Sequence, residues 1–279
     1  MEFDVWRVSD AAFARAYAKT GDRGRALIKT CIAGLYQAWR PGNAVSTVTT
    51  ERFHDGQVRV EELTPRPWFA LAIAPEIASP AQLVAAVMPA LVSRIPLVVA
   101  FRPKARTGWP SALLTTLELC GVEQVFAPSM KNFRSCLDLL AGQTGLYDKV
   151  GQNGPYGGGG LVCLGSRQFR DRIGSMAPEG CRVHWLAPPE SAALFIGPGV
   201  DWDREALAFA HAGIRLRGFD VPDGLESDNL TDGHPWAAFT PAALAPTGVS
   251  LVLEPGREVL WDWPDMPREL FFTRSLVYS

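Results

Sequence analysis

The sequence predicts an α/β fold built on parallel sheets. Residues 69–74 and 96–101 are continuous apolar runs, the pattern of parallel strands that are buried on both faces. Between them, apolar residues at helical spacing predict a helix that contains Pro89, where we expect a kink. Strand and helix alternate from Trp68 to Gly151, and right-handed crossovers place such strands side by side in one sheet.

The chain divides into three predicted parts. Residues 1–63 are expected to form helices and a hairpin that pack on the α/β lobes. Residues 64–156 form a first Rossmann-like lobe with a nucleotide site, and residues 157–279 form a second α/β lobe with a C-terminal tail. Both lobes are expected to be Rossmann-like, with three layers around a parallel sheet. The boundary falls in the run 151–160, which is six-tenths glycine. Gly157–Gly160 have two interpretations. They either let backbone amides approach an anion or form a flexible linker, and we favour the linker.

The N-terminal part contains the signal for an oligomer. Apolar residues from Leu27 to Trp39 fall on one helical face, which we expect to cover a sheet. Residues 44–63 change period, and Asp55-Gly56 predicts the turn of an exposed antiparallel hairpin. Such a hairpin is an oligomerisation or interdomain device, and we expect a homodimer.

Composition narrows the classes of function. A net charge of −2 gives no bulk attraction to nucleic acid or to an anionic membrane, so neither is an expected partner. The apolar runs are too short to span a bilayer, and with no targeting segment we expect a cytoplasmic protein. The five cysteines include no CxxC pair, which argues against a disulfide framework or a thiolate zinc site.

Ligands of parallel sheets bind beyond the carboxyl ends of the strands. One such end carries Pro75, and the next carries Arg102 and Lys104, whose alternative interpretation is a solvated strand end. No glycine-rich dinucleotide or P-loop fingerprint is present. A phosphate could still meet the helix N-terminus at Ser79–Gln82.

Acid–base candidates are few. The four histidines are too scattered in sequence for a metal-ligand spacing, and His211 follows a helical apolar face that suits a structural or surface residue. Glu190 lies between prolines and a predicted strand. It is either an acid–base group or part of the turn that leads into the strand.

At this point the order of motifs is similar to a known family. Residues 66–150 resemble the cofactor-binding half of the aldehyde dehydrogenase-like superfamily, and most closely the histidinol dehydrogenases. The matching segments are PRPWFALAIAPEIAS, MPALVSRIPLVVAFRP, LCGVEQVFAP and YDKVGQNG, and, further on, APPESAALFIGPGVDWDREALAFAHAG and LFFTRSLVYS. The likeness covers most of residues 66–279.

The resemblance implies oxidation of a small alcohol or aldehyde with NAD or NADP. It implies that Arg102 and Lys104 hold the nucleotide, and that Asn153, Gly154 and Pro75 line the cofactor-binding site. Glu190 or His211 would then be the acid–base group.

The sequence also departs from that family. The two-glycine turn after the first strand is replaced by Ala74-Pro75-Glu76, and the family's zinc-ligand aspartate falls on Trp236, so zinc is not expected. The alternative is a non-catalytic ligand-binding or assembly protein. In that case hairpin 44–63 and the aromatic tail, Trp261, Trp263, Phe271 and Phe272, would be contact surfaces, unless the tail packs in the core.

Overall fold

The computed structural model describes residues 4–39, 47–103, 108–143, 158–219 and 235–279. The strands are β1 (Thr47–Arg52), β2 (Val58–Pro65), β3 (Trp68–Ile73), β4 (Leu97–Phe101), β5 (Gln124–Phe126), β6 (Gly160–Leu164), β7 (Arg182–Leu186), β8 (Ser191–Phe195), β9 (Arg215–Phe219), β10 (Ala237–Phe239), β11 (Leu251–Leu253) and β12 (Phe272–Tyr278). The helices are α1 (Asp10–Trp39), α2 (Pro80–Val92), α3 (Ser111–Cys120), α4 (Met130–Gln143), α5 (Arg167–Gly174) and α6 (Arg204–Ala210).

The first sheet is parallel and has the order β5-β4-β3-β6-β7. Strand β3 is buried along its whole length, as its continuous apolar sequence predicts. Its alternate residues serve two cores. Leu71 and Ile73 join the core formed with α1, α2 and α3, while Ala70 and Ala72 join the core formed with α4 and α5. The lobe is therefore a three-layer sandwich, as predicted.

A second parallel sheet follows, in the order β11-β10-β8-β9. The parallel α/β fold with two sheets is thus confirmed. The change of sheet, however, falls between Leu186 and Ser191 and not at residues 156–157, because β6 and β7 pair in the first sheet. Strand β10 lies in a region that the sequence left without an assignment.

The glycines before β6 are needed for close packing, contrary to the linker interpretation. A side chain at Gly159 would place its Cβ 2.1 Å from the ring of Trp68, and one at Gly158 would meet the carbonyl oxygen of Gly180 at 2.0 Å. Gly160 is already the first residue of β6. Gly157 lies outside the described residues.

A Gly159→Ala substitution tests this packing. We expect it to lower the free energy of unfolding by about 1–3 kcal/mol, because the buried indole of Trp68 has to move. The matched control is Gly174→Ala, where an added Cβ meets nothing within 4 Å and the better helix former should leave stability unchanged or raise it. Urea unfolding of both variants measures the difference, and equal stabilities would contradict the packing argument.

The helix and the hairpin that the sequence predicts for the N-terminal part are both present. Helix α1 is interrupted at Gly21, whose φ of 69° is outside the helical region. Helix α2, in which a kink was expected at Pro89, continues through that residue to Val92. Strands β1 and β2 form the expected antiparallel hairpin, which β12 extends to a three-stranded sheet. Every residue of β1 is exposed. The homodimer stays a prediction.

No described helix is both long and apolar enough to cross a bilayer.

The aromatic tail is core and not a contact surface. Trp261 and Phe271 are 0% exposed, Trp263 is 2% exposed, and Phe272 is half-buried. The indoles of Trp261 and Trp236 stack with ring centroids 5.3 Å apart, beside Trp263. Burying such rings is among the largest apolar contributions a side chain makes, so this cluster stabilises the second lobe.

Candidate functional site

A cleft of about 520 Å³ lies at the carboxyl ends of the first sheet's strands, against the second lobe. Its walls come from the loop after β3, the loop after β6, the connection from β7 to β8 and the segment after α6. The volume is that of an ordinary small-molecule site. Its polar and charged lining residues are Glu76, Gln82, Ser166, Arg167 and Glu190.

Glu76 closes the N-terminus of α5. Its Oε1 accepts a hydrogen bond from the backbone N–H of Ser166 at 3.0 Å, and the Ser166 hydroxyl accepts one from the N–H of Phe169 at 3.4 Å. A carboxylate is stabilised there by the positive end of the helix dipole. This helix end is therefore already neutralised by the protein itself.

The N-terminus of α2 is closed in a different way, and the expected phosphate at Ser79–Gln82 is not accommodated. The Ser79 hydroxyl accepts from the N–H of Gln82 at 3.1 Å and donates to the carbonyl of Ala210 at 2.7 Å. Ser79 and Gln82 are 1% and 2% exposed. Helix α6 thus covers the place where a pyrophosphate would approach in an ordinary dinucleotide fold.

Gln82 is nevertheless the most informative residue of the cleft. It is buried and lines the cleft, and its amide nitrogen has no hydrogen-bond partner among the residues described. Its backbone carbonyl accepts from the Trp263 indole at 3.3 Å. A buried donor without an acceptor costs about 1–3 kcal/mol, and an oxygen of a ligand in the cleft would remove that cost.

Arg102 does not line the cleft, and the alternative prediction, that it is a solvated residue at the strand end, is also wrong. The side chain is 3% exposed, and its guanidinium donates to the carbonyls of Ile77 at 3.0 Å and Pro75 at 2.6 Å. Burial lowers its pKa to about 10, against the opposing charge of Glu76. Arg102 therefore fixes the turn after β3. Pro75 is exposed within that turn, with its carbonyl already engaged.

The two acid–base candidates separate. Glu190 is exposed and lines the cleft. His211 is 2% exposed and packs between Phe239 and Trp261, with its Nε2 2.7 Å from the carbonyl oxygen of Glu258. Burial lowers its pKa to about 4. His211 therefore keeps a neutral ring in the core, which supports the structural interpretation of this residue.

Three predicted cofactor contacts, Lys104, Asn153 and Gly154, lie outside the described residues.

Trp185 also lines the cleft and was not predicted from the sequence. Its indole N–H donates to the carbonyl of Gly165 at 2.7 Å, and its ring lies under the guanidinium of Arg170 at 4.6 Å. A tryptophan near the carboxyl end of a predicted strand was the available signal.

Neither a thiol nor a metal-ligand cluster forms part of the cleft. Burial raises the pKa of Cys31, Cys163 and Cys181 to about 12, and that of Cys136 to about 11. Burial also raises the pKa of Cys120. Within the part of the chain that the structure describes, no three His, Cys, Asp or Glu residues come together in a metal-binding group.

Comparisons with known proteins bear on the fold. No protein-family model and no curated protein matches the chain. Among solved structures, histidinol dehydrogenase from Elizabethkingia anophelis is similar, with a TM-score of 0.58 and 11% identity over 98% of this chain and 76% of that chain.

Two aldehyde dehydrogenases are matched over shorter shares of their own lengths. Succinic semialdehyde dehydrogenase from Streptococcus pyogenes, in complex with NADP+, has a TM-score of 0.38 and 13% identity over 74% of this chain and 48% of that one. Lactaldehyde dehydrogenase from Escherichia coli has a TM-score of 0.39 and 12% identity, over 70% and 41%. The chain thus spans about half or less of these two enzymes. The histidinol dehydrogenase match confirms the fold that the sequence resemblance implied.

Proposed function

We propose that the cleft binds NAD through the hydroxyl groups of a ribose, and that the chain is a divergent protein of the dehydrogenase fold. The observation that carries the proposal is the lining of the cleft. Two acidic residues, Glu76 and Glu190, line one space of ligand size together with Gln82, whose buried amide nitrogen has no partner among the described residues. Carboxylates accept hydrogen bonds from ribose hydroxyls in dinucleotide sites, and the Gln82 amide donates to an oxygen.

The charges in the cleft favour NAD over NADP. A carboxylate that accepts from a ribose hydroxyl repels the 2′-phosphate of NADP, which is usually held by an arginine. Among the described residues that line the cleft, the cation is Arg167, which is exposed in the first turn of α5. We assign it to the pyrophosphate, because both helix N-termini at the cleft are already filled by Glu76 and Ser79.

The chemistry proposed is the oxidation of a small alcohol or aldehyde. A bound NAD supplies the hydride acceptor. Glu190 is assigned to the ribose hydroxyl, so the group that would accept the hydroxyl proton of an alcohol substrate is left unassigned among the described residues. Arg102 takes no part beyond holding the turn after β3, and His211 is too deeply buried to reach a substrate.

A non-catalytic ligand-binding protein is the second candidate, and the placement of the nucleophiles favours it. The described cysteines have pKa values well above neutral pH and do not line the cleft. The neutral ring of His211 is buried in the core and bonded to the carbonyl oxygen of Glu258. A protein of this kind would bind the nucleotide without turning over. Formation of NADH from NAD with a panel of small alcohols and aldehydes separates the two candidates.

Binding is tested by a Glu190→Gln substitution. We expect NAD to bind the parent protein more tightly than NADP, and the substitution to weaken NAD binding about tenfold or more, because a charge-assisted hydrogen bond becomes a neutral one. Isothermal titration calorimetry measures both dissociation constants. Glu190 is exposed, so the variant should fold.

The matched control is Glu179→Gln, which removes the same charge from an exposed residue that does not line the cleft. Its affinity for NAD should equal that of the parent. Equal binding by the parent and by Glu190→Gln, or binding of NADP in preference to NAD, would contradict the assignment.

A further inference from the structure

A second cleft, of about 380 Å³, lies at the opposite end of the first sheet. Arg66 precedes β3 and Arg182 is the first residue of β7, so both stand at the amino ends of parallel strands. Arg274 reaches the same cleft from β12. Three arginine residues thus line one space that is separate from the proposed NAD site.

Arg66 is the buried member of this set. It is 4% exposed, and its guanidinium donates to the carbonyl oxygen of Glu269 through Nε and Nη2, at 3.1 and 3.0 Å, and to that of Gly158 through Nη1. These bonds use three of its five N–H groups. Its charge has carbonyl oxygens around it, and no carboxylate pairs with it in the described part of the chain.

Arg182 adds a second positive charge beside it. This side chain is exposed and makes no ion pair with a described residue. Burial and the charge of Arg182 lower the pKa of Arg66, while the nearby thiol of Cys181 acts in the opposite direction. The same Cys181 thiol stays protonated near neutral pH, because burial raises its pKa to about 12. Cys181 is therefore not the counterion.

The remaining charges are partly balanced. Arg274 pairs with Glu61 across β2 and β12, at 2.7 Å. The Glu269 side chain is exposed on the cleft wall, and its backbone carbonyl is what holds Arg66. Two guanidiniums without a carboxylate partner, one of them buried, remain in one cleft. Placing like charges together in this way is costly unless an anion binds between them.

We infer that this cleft binds a small phosphate-bearing anion between Arg66 and Arg182. Arginine forks match phosphate oxygens in a bidentate geometry. Two N–H groups of Arg66 are left over by its bonds to carbonyl oxygens, and Arg182 is exposed. The volume suits inorganic phosphate or a small phosphate ester better than a dinucleotide. The proposal concerns different residues from the NAD site, so either can fail without the other.

The test is thermal unfolding of the full chain with inorganic phosphate, and separately with glycerol phosphate, at constant ionic strength against chloride. At about ten times its dissociation constant, either anion should raise Tm by about 3–6 °C. Arg182→Gln should lose most of this rise. Arg182 is exposed, so the variant is expected to fold. Arg172→Gln, which removes an exposed arginine of α5 away from the cleft, should keep the rise.

The control variant also separates binding from a general salt effect. Phosphate stabilises many proteins by exclusion from their surface, and this effect should be the same in every variant. A rise in Tm that is equal in the parent, Arg172→Gln and Arg182→Gln would overturn the proposal. The absence of any rise in the parent would overturn it as well.

Discussion

Replacing Phe271 by alanine should lower the free energy of unfolding by about 3–5 kcal/mol. The ring is fully buried and lies between two other parts of the molecule, with its centroid 5.7 Å from that of Phe69 in β3 and 5.9 Å from that of Trp39 at the end of α1. Its removal leaves a cavity where the C-terminal tail, the central strand and the first helix meet. Urea denaturation, followed by tryptophan fluorescence, measures the loss.

The matched control is Phe53→Ala. Phe53 lies at the turn of the hairpin and is 45% exposed, so the same truncation should cost less than about 1 kcal/mol. A small effect at Phe271 would mean that the tail does not belong to the core and would revive its interpretation as a contact surface.

That interpretation shows where sequence reasoning loses its power. The tail residues Trp261, Trp263 and Phe271 are separated by prolines and charged residues and follow neither a helical nor a strand period. Periodicity therefore could not decide whether they face solvent or core. In contrast, β3 and β4 were predictable within two residues at each end, because a parallel strand buried on both faces has a continuous apolar sequence.

The boundary between the lobes was misplaced for a related reason. A glycine run is the composition of a flexible linker, but at Gly159 the missing side chain makes room for the ring of Trp68. Such a close approach depends on a residue that is distant in sequence. Strand β10, only three residues long, has too few positions to show a pattern.

The candidate site was predictable in its place and only partly in its residues. The rule that ligands bind at the carboxyl ends of parallel strands pointed to the turn after β3, and Glu190, which was singled out separately as an acid–base candidate, lines the same cleft. The direction of a long side chain cannot be derived from its position, and Arg102 turns back onto the carbonyls of that turn. Gln82 had a signal of its own, since it is the one residue of α2 with a polar side chain.

Lowering the pH should destabilise the fold through His211, by about 3 kcal/mol in total. The buried ring has a pKa of about 4 against an ordinary value of 6.5. Between these values the unfolded chain binds a proton that the folded chain does not, so the free energy of unfolding falls as the pH falls from about 6.5 to about 4. The loss follows from a difference of about 2.5 units at about 1.36 kcal/mol each.

A comparison of variants isolates this contribution from other groups. Burial also lowers the pKa of His184, and it raises the pKa of Asp262, which acts in the opposite direction by stabilising the fold as the pH falls. His211→Asn should therefore lose most of the pH dependence, measured as the unfolding free energy in urea at several pH values. His54→Asn, which removes an exposed histidine from the hairpin turn, should keep it. If His211→Asn instead retains the slope of the parent, the ring is able to take up a proton in the folded state. The assignment of His211 to a neutral, structural role in the core would then have to be given up.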